Sequence, residues 1–129
     1  MIPKYRMWNR ITLTLHHVEG LYFDNKEVQY IDEVGILRFI KFKNTILMQS
    51  TGLHDKNGKE LFEGDILAVE TDEEVLRVSV FWNQNYALFM FASKKYNVVE
   101  ALAELLEDNS YPFEIIGNIY ENSELLENS

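Results

Sequence analysis

Cysteine is absent from the 129 residues, and no uninterrupted apolar stretch is longer than seven residues. Without thiols, disulfide frameworks, zinc–thiolate sites, iron–sulfur clusters and cysteine nucleophiles are excluded. The longest apolar stretch, Tyr86 to Ala92, is far shorter than the roughly 20 residues that cross a bilayer, and the N-terminus has no apolar signal core. We therefore expect a soluble domain in the cytoplasm, with no membrane partner.

Basic residues are scarce, and most of them lie in the first half of the chain. Twelve Lys and Arg against 21 Asp and Glu give a formal net charge of -9. Residues 1–64 carry nine basic and eight acidic side chains, residues 65–129 carry three and thirteen, and no Lys or Arg follows Glu100. This balance disfavours nucleic acid as a partner unless the first half presents a basic face. The acidic half is typical of a solubilising surface or of one that docks a basic partner.

Hydrophobic residues make up 47% of the chain and aromatic residues 13%, which is enough to build a core in one compact unit. The alternation of Ile11, Leu13 and Leu15 with polar residues predicts a first strand over 11–18. Further extended segments are predicted at 21–23, 28–31, 36–42, 66–70, 75–82, 86–92 and 113–120. Even-numbered positions of 36–42 are predicted to face inward.

One helix is predicted near 98–107, starting after Asn97 as N-cap and ending near Asp108. Its apolar stripe consists of Val98, Val99, Leu102, Leu105 and Leu106. The segment 50–64 has no clear period and contains a tight turn at 55–59, so it marks the boundary between two lobes. The predicted fold is mainly β with one short helix, as an N-terminal β-hairpin lobe over 1–50 and a second lobe over 51–129.

Residue types that are used in catalysis and metal binding are present, but their spacing does not indicate an active site. His16 and His17 are adjacent on a predicted strand and point to opposite faces, so they cannot chelate one ion together. Ser50, His54 and Asp55 lack a nucleophile elbow. Alternate carboxylates that could act as acid and base occur at Glu63, Asp65, Glu70 and Asp72. The sequence also lacks a glycine-rich phosphate loop. We predict a protein that is not an enzyme, with no catalytic residues, no metal and no cofactor.

Seventeen aromatic rings and a few basic residues suggest an interaction surface instead. The candidate residues are Arg6, Trp8, Arg38, Lys41, Lys43, Trp82 and Tyr86. An alternative interpretation keeps the two tryptophans in the structure: Trp8 as a plug between the lobes, and Trp82 as the end of a core strand.

Three motifs carry a resemblance to a known family. They are the opening Ile2-Pro3-Lys4-Tyr5-Arg6-Met7-Trp8, the long segment 47–66 that ends in Gly64-Asp65-Ile66, and Ile115-Ile116-Gly117-Asn118-Ile119-Tyr120-Glu121-Asn122. Together and in this order they are similar to the YopX family of phage and prophage proteins. The tail departs from that family, because Ser123 stands where a proline is usual after the asparagine.

The resemblance implies a mainly β protein with an SH3-like barrel in its C-terminal part, encoded by a phage or prophage. It supplies no activity and no catalytic residues. With the absence of site chemistry, it favours a non-enzymatic accessory protein that binds a host or phage protein in the bacterial cytoplasm. The alternative is a nucleic-acid-binding module that uses the basic and aromatic N-terminal face, formed by Arg6, Arg10, Arg38, Lys41 and Lys43 with Trp8, Phe39 and Phe42. Open sheet edges also make a homo-oligomer a hypothesis.

Overall fold

The computed structural model describes residues 4–105 and 111–127 and confirms a mainly β fold. The chain folds as two compact units, Met1–Ser50 and Thr51–Ser129. The strands are β1 (Tyr5–Asn9), β2 (Thr14–Tyr22), β3 (Glu27–Ile31), β4 (Leu37–Lys41), β5 (Thr45–His54), β6 (Glu60–Phe62), β7 (Asp65–Glu70), β8 (Val75–Asn83), β9 (Leu88–Ser93), β10 (Val98–Ala101) and β11 (Phe113–Asn118). Short 3-10 helices cover Phe42–Asn44 and Leu102–Leu105, and the helix α1 covers Glu124–Glu127.

Unit 1 is an antiparallel sheet in the order β4-β3-β2-β1-β5. β5 runs through the boundary at residue 50: its first residues pair with β1, and at its other end the Thr51 hydroxyl donates to the Leu61 carbonyl of β6 at 2.8 Å. Met7, Val28, Tyr30 and Ile40 form the buried core of this unit. Because side chains alternate along a strand, burying Ile40 turns its neighbours in β4 to the opposite face.

Unit 2 contains a five-stranded antiparallel sheet in the order β10-β9-β8-β7-β11. Its core lies on one face of this sheet, where the 3-10 helix Leu102–Leu105 contributes two buried leucines. The strands contribute Leu67, Val69, Val78, Val80, Phe91, Phe113 and Ile115. The β11–β7 register shifts between Ile115 and Gly117, as expected from a glycine inside a strand. The SH3-like barrel stays a prediction.

The helix predicted near 98–107 is wrong. Asn97 has a positive φ of 52° and lies in the turn between β9 and β10, so it is not an N-cap. Val98 and Val99 follow in β10, which suits their β-branched side chains. Only the single 3-10 turn Leu102–Leu105 remains of the predicted helix, and its expected end at 106–108 lies outside the described residues.

Further details differ from the sequence prediction. The strand predicted over 11–18 begins only at Thr14, and Ile11 lies exposed in the turn before it. Ile36 and Arg38 are exposed rather than inward, although Ile40 in the same series is buried. β1, β5 and β6 are strands that the sequence patterns did not predict. Within the described ranges, no helix has the length and apolar character needed to cross a membrane.

Candidate interaction surface

The turn at 55–59, the centre of the longest family motif, is organised by one buried carboxylate. Asp55 Oδ1 accepts the backbone N–H groups of Asn57 and Lys59, each at 2.9 Å. Its Oδ2 accepts the N–H of Ile115 at 2.9 Å. Burial raises the pKa of Asp55, but the three N–H donors outweigh burial and hold that pKa below its ordinary value. The carboxylate is committed to the backbone and ties this motif to the C-terminal one.

The C-terminal motif is also a hydrogen-bonded turn. Asn118 Oδ1 accepts the N–H groups of Tyr120 and Glu121 at 2.9 Å, and Asn122 Oδ1 accepts the N–H of Asn118 at 3.2 Å. A Cβ atom on Gly117 would lie 2.5 Å from Asn122 Oδ1, closer than real Cβ atoms approach. Glycine at 117 and asparagine at 118 and 122 therefore follow from the geometry of the turn, not from a reaction.

Two of the four acid–base candidates, Asp65 and Glu70, have structural partners. Asp65 is buried and accepts the N–H of Phe62 at 2.8 Å. Glu70 lies at the opposite end of β7 and pairs with Lys56 at 2.9 Å, so these two carboxylates do not form a catalytic pair. Asp55 gives its oxygens to backbone donors, as described above, and is not available to orient His54 in a triad.

The histidines do not assemble a metal site either. His16 Nε2 lies 2.7 Å from the Thr14 hydroxyl, and its ring lies 4.6 Å from that of Tyr30. The Glu33 carboxylate is 3.6 Å from the same Nε2 atom. Across residues 4–105 and 111–127, no three His, Asp or Glu side chains converge as metal ligands would.

Unit 2 has one apolar recess on the core side of its sheet, with a volume of about 220 Å³. Its walls include Val69, Val78, Phe91, Leu105 and Tyr111. This volume is smaller than the roughly 300–1,000 Å³ of most small-molecule sites.

Three polar residues that line the recess, Thr71, Ser93 and Tyr96, have partners. The Thr71 hydroxyl donates to the Glu74 carbonyl at 2.7 Å, and Ser93 Oγ accepts the Tyr96 N–H at 3.3 Å. The Lys95 ammonium, 2.8 Å from the Glu74 carboxylate, and the Tyr96 hydroxyl hold the pKa of Glu74 below its ordinary value. The rim is a self-contained network and does not assemble a reaction site.

The predicted interaction residues are divided by burial. Arg6 and Trp8 lie in β1 and are buried. Trp82 is half-buried, and its ring meets that of Phe89 edge-on at 4.9 Å between centroids. Tyr86 is 71% exposed in the turn between β8 and β9. Arg38, Lys41 and Lys43 are exposed in or directly after β4. An interaction role for these seven residues stays a prediction.

In unit 1, the exposed residues of β4 belong to a larger apolar surface, which we call the β4 face. It consists of Tyr22, Ile31, Leu37, Phe39 and Lys41. Leu37 lies directly across from Ile31, and the Phe39 ring is 5.8 Å from that of Tyr22. Leu37 is 51% exposed and Phe39 is 53% exposed, in a sheet whose opposite side carries the unit 1 core. Phe39 belongs to the predicted nucleic-acid face, whereas Tyr22, Ile31 and Leu37 were not predicted. The signal that could have found Leu37 is its odd-numbered position in 36–42, next to even-numbered positions that are predicted to face inward.

Two cations of β4, Lys41 and Arg38, have acidic neighbours. Lys41 Nζ is 3.7 Å from Glu27, its partner in the β3–β4 register. Arg38 Nε donates to Asp32 Oδ2. The Arg38 guanidinium, with backbone N–H groups of the β3–β4 turn, holds the pKa of Asp32 below its ordinary value. The ion pair of Lys41 and Glu27 therefore lies on the same side of the sheet as the β4 face, whereas Arg38, an even-numbered residue of β4 like Ile40, lies on the opposite side.

Comparison with known proteins decides the family. A family model described as YopX protein matches residues 4–127. The chain belongs to the YopX family. Among solved structures, protein EF1440 of Enterococcus faecalis is 27% identical and has a TM-score of 0.63, with 98% of this chain and 99% of that chain covered. The yopX protein of Bacillus subtilis is 20% identical and has a TM-score of 0.60, with 95% and 97% covered. No curated protein matches the chain.

Proposed function

We propose that this YopX-family chain is a phage- or prophage-encoded accessory protein that acts in the bacterial cytoplasm by binding another protein through the β4 face. The observation that carries the proposal is the group of exposed apolar side chains on β2, β3 and β4. Scattered exposed apolar residues are normal, but neighbours that form one patch are typical of protein-binding surfaces.

Charge favours a protein partner over a nucleic acid. Phosphate binding draws on cations that are free to replace counterions. Arg38 and Lys41 already have carboxylates beside them, at Asp32 and Glu27. On the β4 face, the Lys41–Glu27 ion pair beside a group of apolar side chains resembles the polar rim and apolar core of a protein interface.

Binding also fits what the family motifs do in this chain. Asp55, Gly117, Asn118 and Asn122 build turns, and the candidate carboxylates Asp65 and Glu70 have structural partners. The motifs thus support a scaffold, and function is left to the exposed surfaces.

The test is a pull-down with matched surface variants. Tagged wild-type protein, Phe39→Ser and Tyr86→Ser are incubated with host lysate, half of it treated with nuclease. Both substitutions remove an exposed aromatic ring, but only Phe39 lies on the β4 face. We expect a discrete protein that survives nuclease, is retained by Tyr86→Ser and is lost with Phe39→Ser. Thermal melts check that both variants remain folded.

Two results would overturn the proposal. One is retention of the same proteins by Phe39→Ser as by the wild type. The other is a set of captured proteins that is lost on nuclease treatment, which would indicate that the chain binds nucleic acid instead.

A further inference from the structure

β4 is the edge strand of its sheet, because β3 is the one described strand that pairs with it. Hydrogen bonds in an antiparallel pair involve every second residue. Phe42 N–H donates to the Lys26 carbonyl at 2.8 Å, and Asp32 N–H donates to the Ile36 carbonyl at 2.9 Å. These two hydrogen bonds lie at the ends of the β3–β4 ladder and show which residues of β4 are hydrogen-bonded to β3.

The backbone N–H and C=O groups of the even-numbered residues of β4 therefore form the hydrogen bonds to β3. The backbone N–H and C=O groups of Leu37, Phe39 and Lys41 consequently point away from β3, toward the open edge. The side chains of the same three residues belong to the β4 face. The edge therefore offers three residues whose backbone groups and exposed side chains can meet one incoming strand together.

We propose that β4 binds an extended segment of a partner protein as an additional antiparallel strand, with the pattern acidic-x-apolar-x-apolar from N- to C-terminus. The proposal rests on the protein-binding function proposed above. Residues directly opposite in an antiparallel pair point to the same face, so the acidic residue lies against Lys41 and the two apolar residues against Phe39 and Leu37. Lys41 is paired with Glu27 on its β3 side, but its side chain is 55% exposed, so its ammonium can also contact the incoming carboxylate, which gives the charge complementarity for this register.

The occupant is a different protein rather than a second copy. The pattern occurs four times in this chain, beginning at Glu19, Asp32, Asp65 and Glu74. The first, third and fourth occurrences run along β2, β7 and β8, each of which already has a strand on both sides. The second is closed into the β3–β4 turn by the bond from Gly35 N–H to the Asp32 carbonyl at 3.0 Å.

The probe is a synthetic capped peptide, Ser-Glu-Thr-Val-Thr-Val-Ser, titrated into isotope-labelled full-length protein and followed by NMR. The Glu and both Val residues carry the pattern and turn their N–H groups toward β4. We expect saturable shifts of the Leu37, Phe39 and Lys41 amides. N-methylation of either Val should weaken binding roughly tenfold, because it removes a hydrogen bond at the edge. N-methylation of either Thr, whose N–H points away, should leave affinity within about twofold.

A charge exchange tests the register. A peptide with Lys in place of Glu should bind the wild type less tightly and should regain affinity for Lys41→Glu. A scrambled peptide of the same composition is the control.

The outcomes separate this proposal from the function on which it rests. Binding that is equally sensitive to N-methylation at Thr and Val would overturn strand addition and leave a side-chain contact on the β4 face. No binding by the patterned peptide would also overturn strand addition, whereas loss of capture by Phe39→Ser in the pull-down would still support the proposed function.

Discussion

At the scale of single residues, Asp55 both shapes its own turn and stabilises unit 2. Its carboxylate accepts three backbone N–H groups, two within its own turn and one from Ile115. An ionised carboxylate is a stronger acceptor than a neutral one. The charged form is therefore bound more firmly in the folded chain than in the unfolded chain, which agrees with the lowered pKa.

This gives a pH dependence with a defined sign. Because the folded-state pKa of Asp55 lies below the ordinary value of 3.8, its stabilisation is present above that value and is lost as the pH falls through the folded-state pKa. We expect Asp55→Asn to lower the free energy of unfolding by about 2 kcal/mol at neutral pH and by much less in strong acid. Urea melts from neutral to acid pH measure the difference.

Exposed Asp72 offers a control for this experiment, since Asp72→Asn removes a carboxylate without these bonds. A constant difference between wild type and Asp55→Asn at every pH would contradict the ionic character of the interaction.

At the scale of elements, the β8–β9 hairpin is stabilised across its strands by aromatic packing. Trp82 and Phe89 are register partners, and their rings meet edge-on at 4.9 Å. We expect a double-mutant cycle with Trp82→Ala and Phe89→Ala to give a coupling energy of about 1 kcal/mol. Thermal or urea unfolding of the four proteins measures it; additive effects would mean that Trp82 does not act through Phe89.

Strand patterns were predictable from the sequence because half-buried strands alternate apolar and polar residues. The segments predicted at 66–70, 75–82 and 113–120 correspond closely to β7, β8 and β11. The helix prediction failed because the sequence around Asn97 matches the pattern of a helix N-terminus. Asn97 is a common N-cap residue, two valines follow it, and Glu100 lies three positions later. The same residues also suit a turn with positive φ followed by a strand, and pairing with β9 decided between the two.

The candidate surface was predictable only in part. Arg38, Lys41 and Lys43 are charged and therefore exposed in most folds. The prediction that even-numbered positions of 36–42 face inward leaves Leu37 outward, but the sequence gives no sign that Ile31 shares an exposed face with it. Arg6 and Trp8 show the opposite case: both were candidates by residue type, yet the pairing of β1 between β2 and β5 buries them.

At the scale of the whole molecule, charge is divided between the two units. Residues 1–50 carry seven Lys and Arg and five Asp and Glu, whereas residues 51–129 carry five and sixteen. Long-range repulsion of phosphate therefore opposes the small positive excess of unit 1.

We expect no binding of the full chain to single- or double-stranded DNA or RNA in fluorescence anisotropy, even at low salt, where electrostatic attraction is strongest. A basic nucleic-acid-binding protein measured alongside verifies the assay. Salt-sensitive binding to this chain would favour the nucleic-acid alternative.

The bond between Asp55 and Ile115 has a consequence for how the protein is made. It closes a loop of sixty residues, and β7 likewise obtains one of its two neighbours only from β11. Contacts of such separation slow folding, because the intervening chain must be ordered before they form. During synthesis, β7 and β8 emerge from the ribosome before β11, which begins 30 positions after the end of β8 at Asn83. A ribosome that pauses before β11 would therefore leave the backbone N–H and C=O groups along one edge of β7 unpaired, available to chaperones or to aggregation.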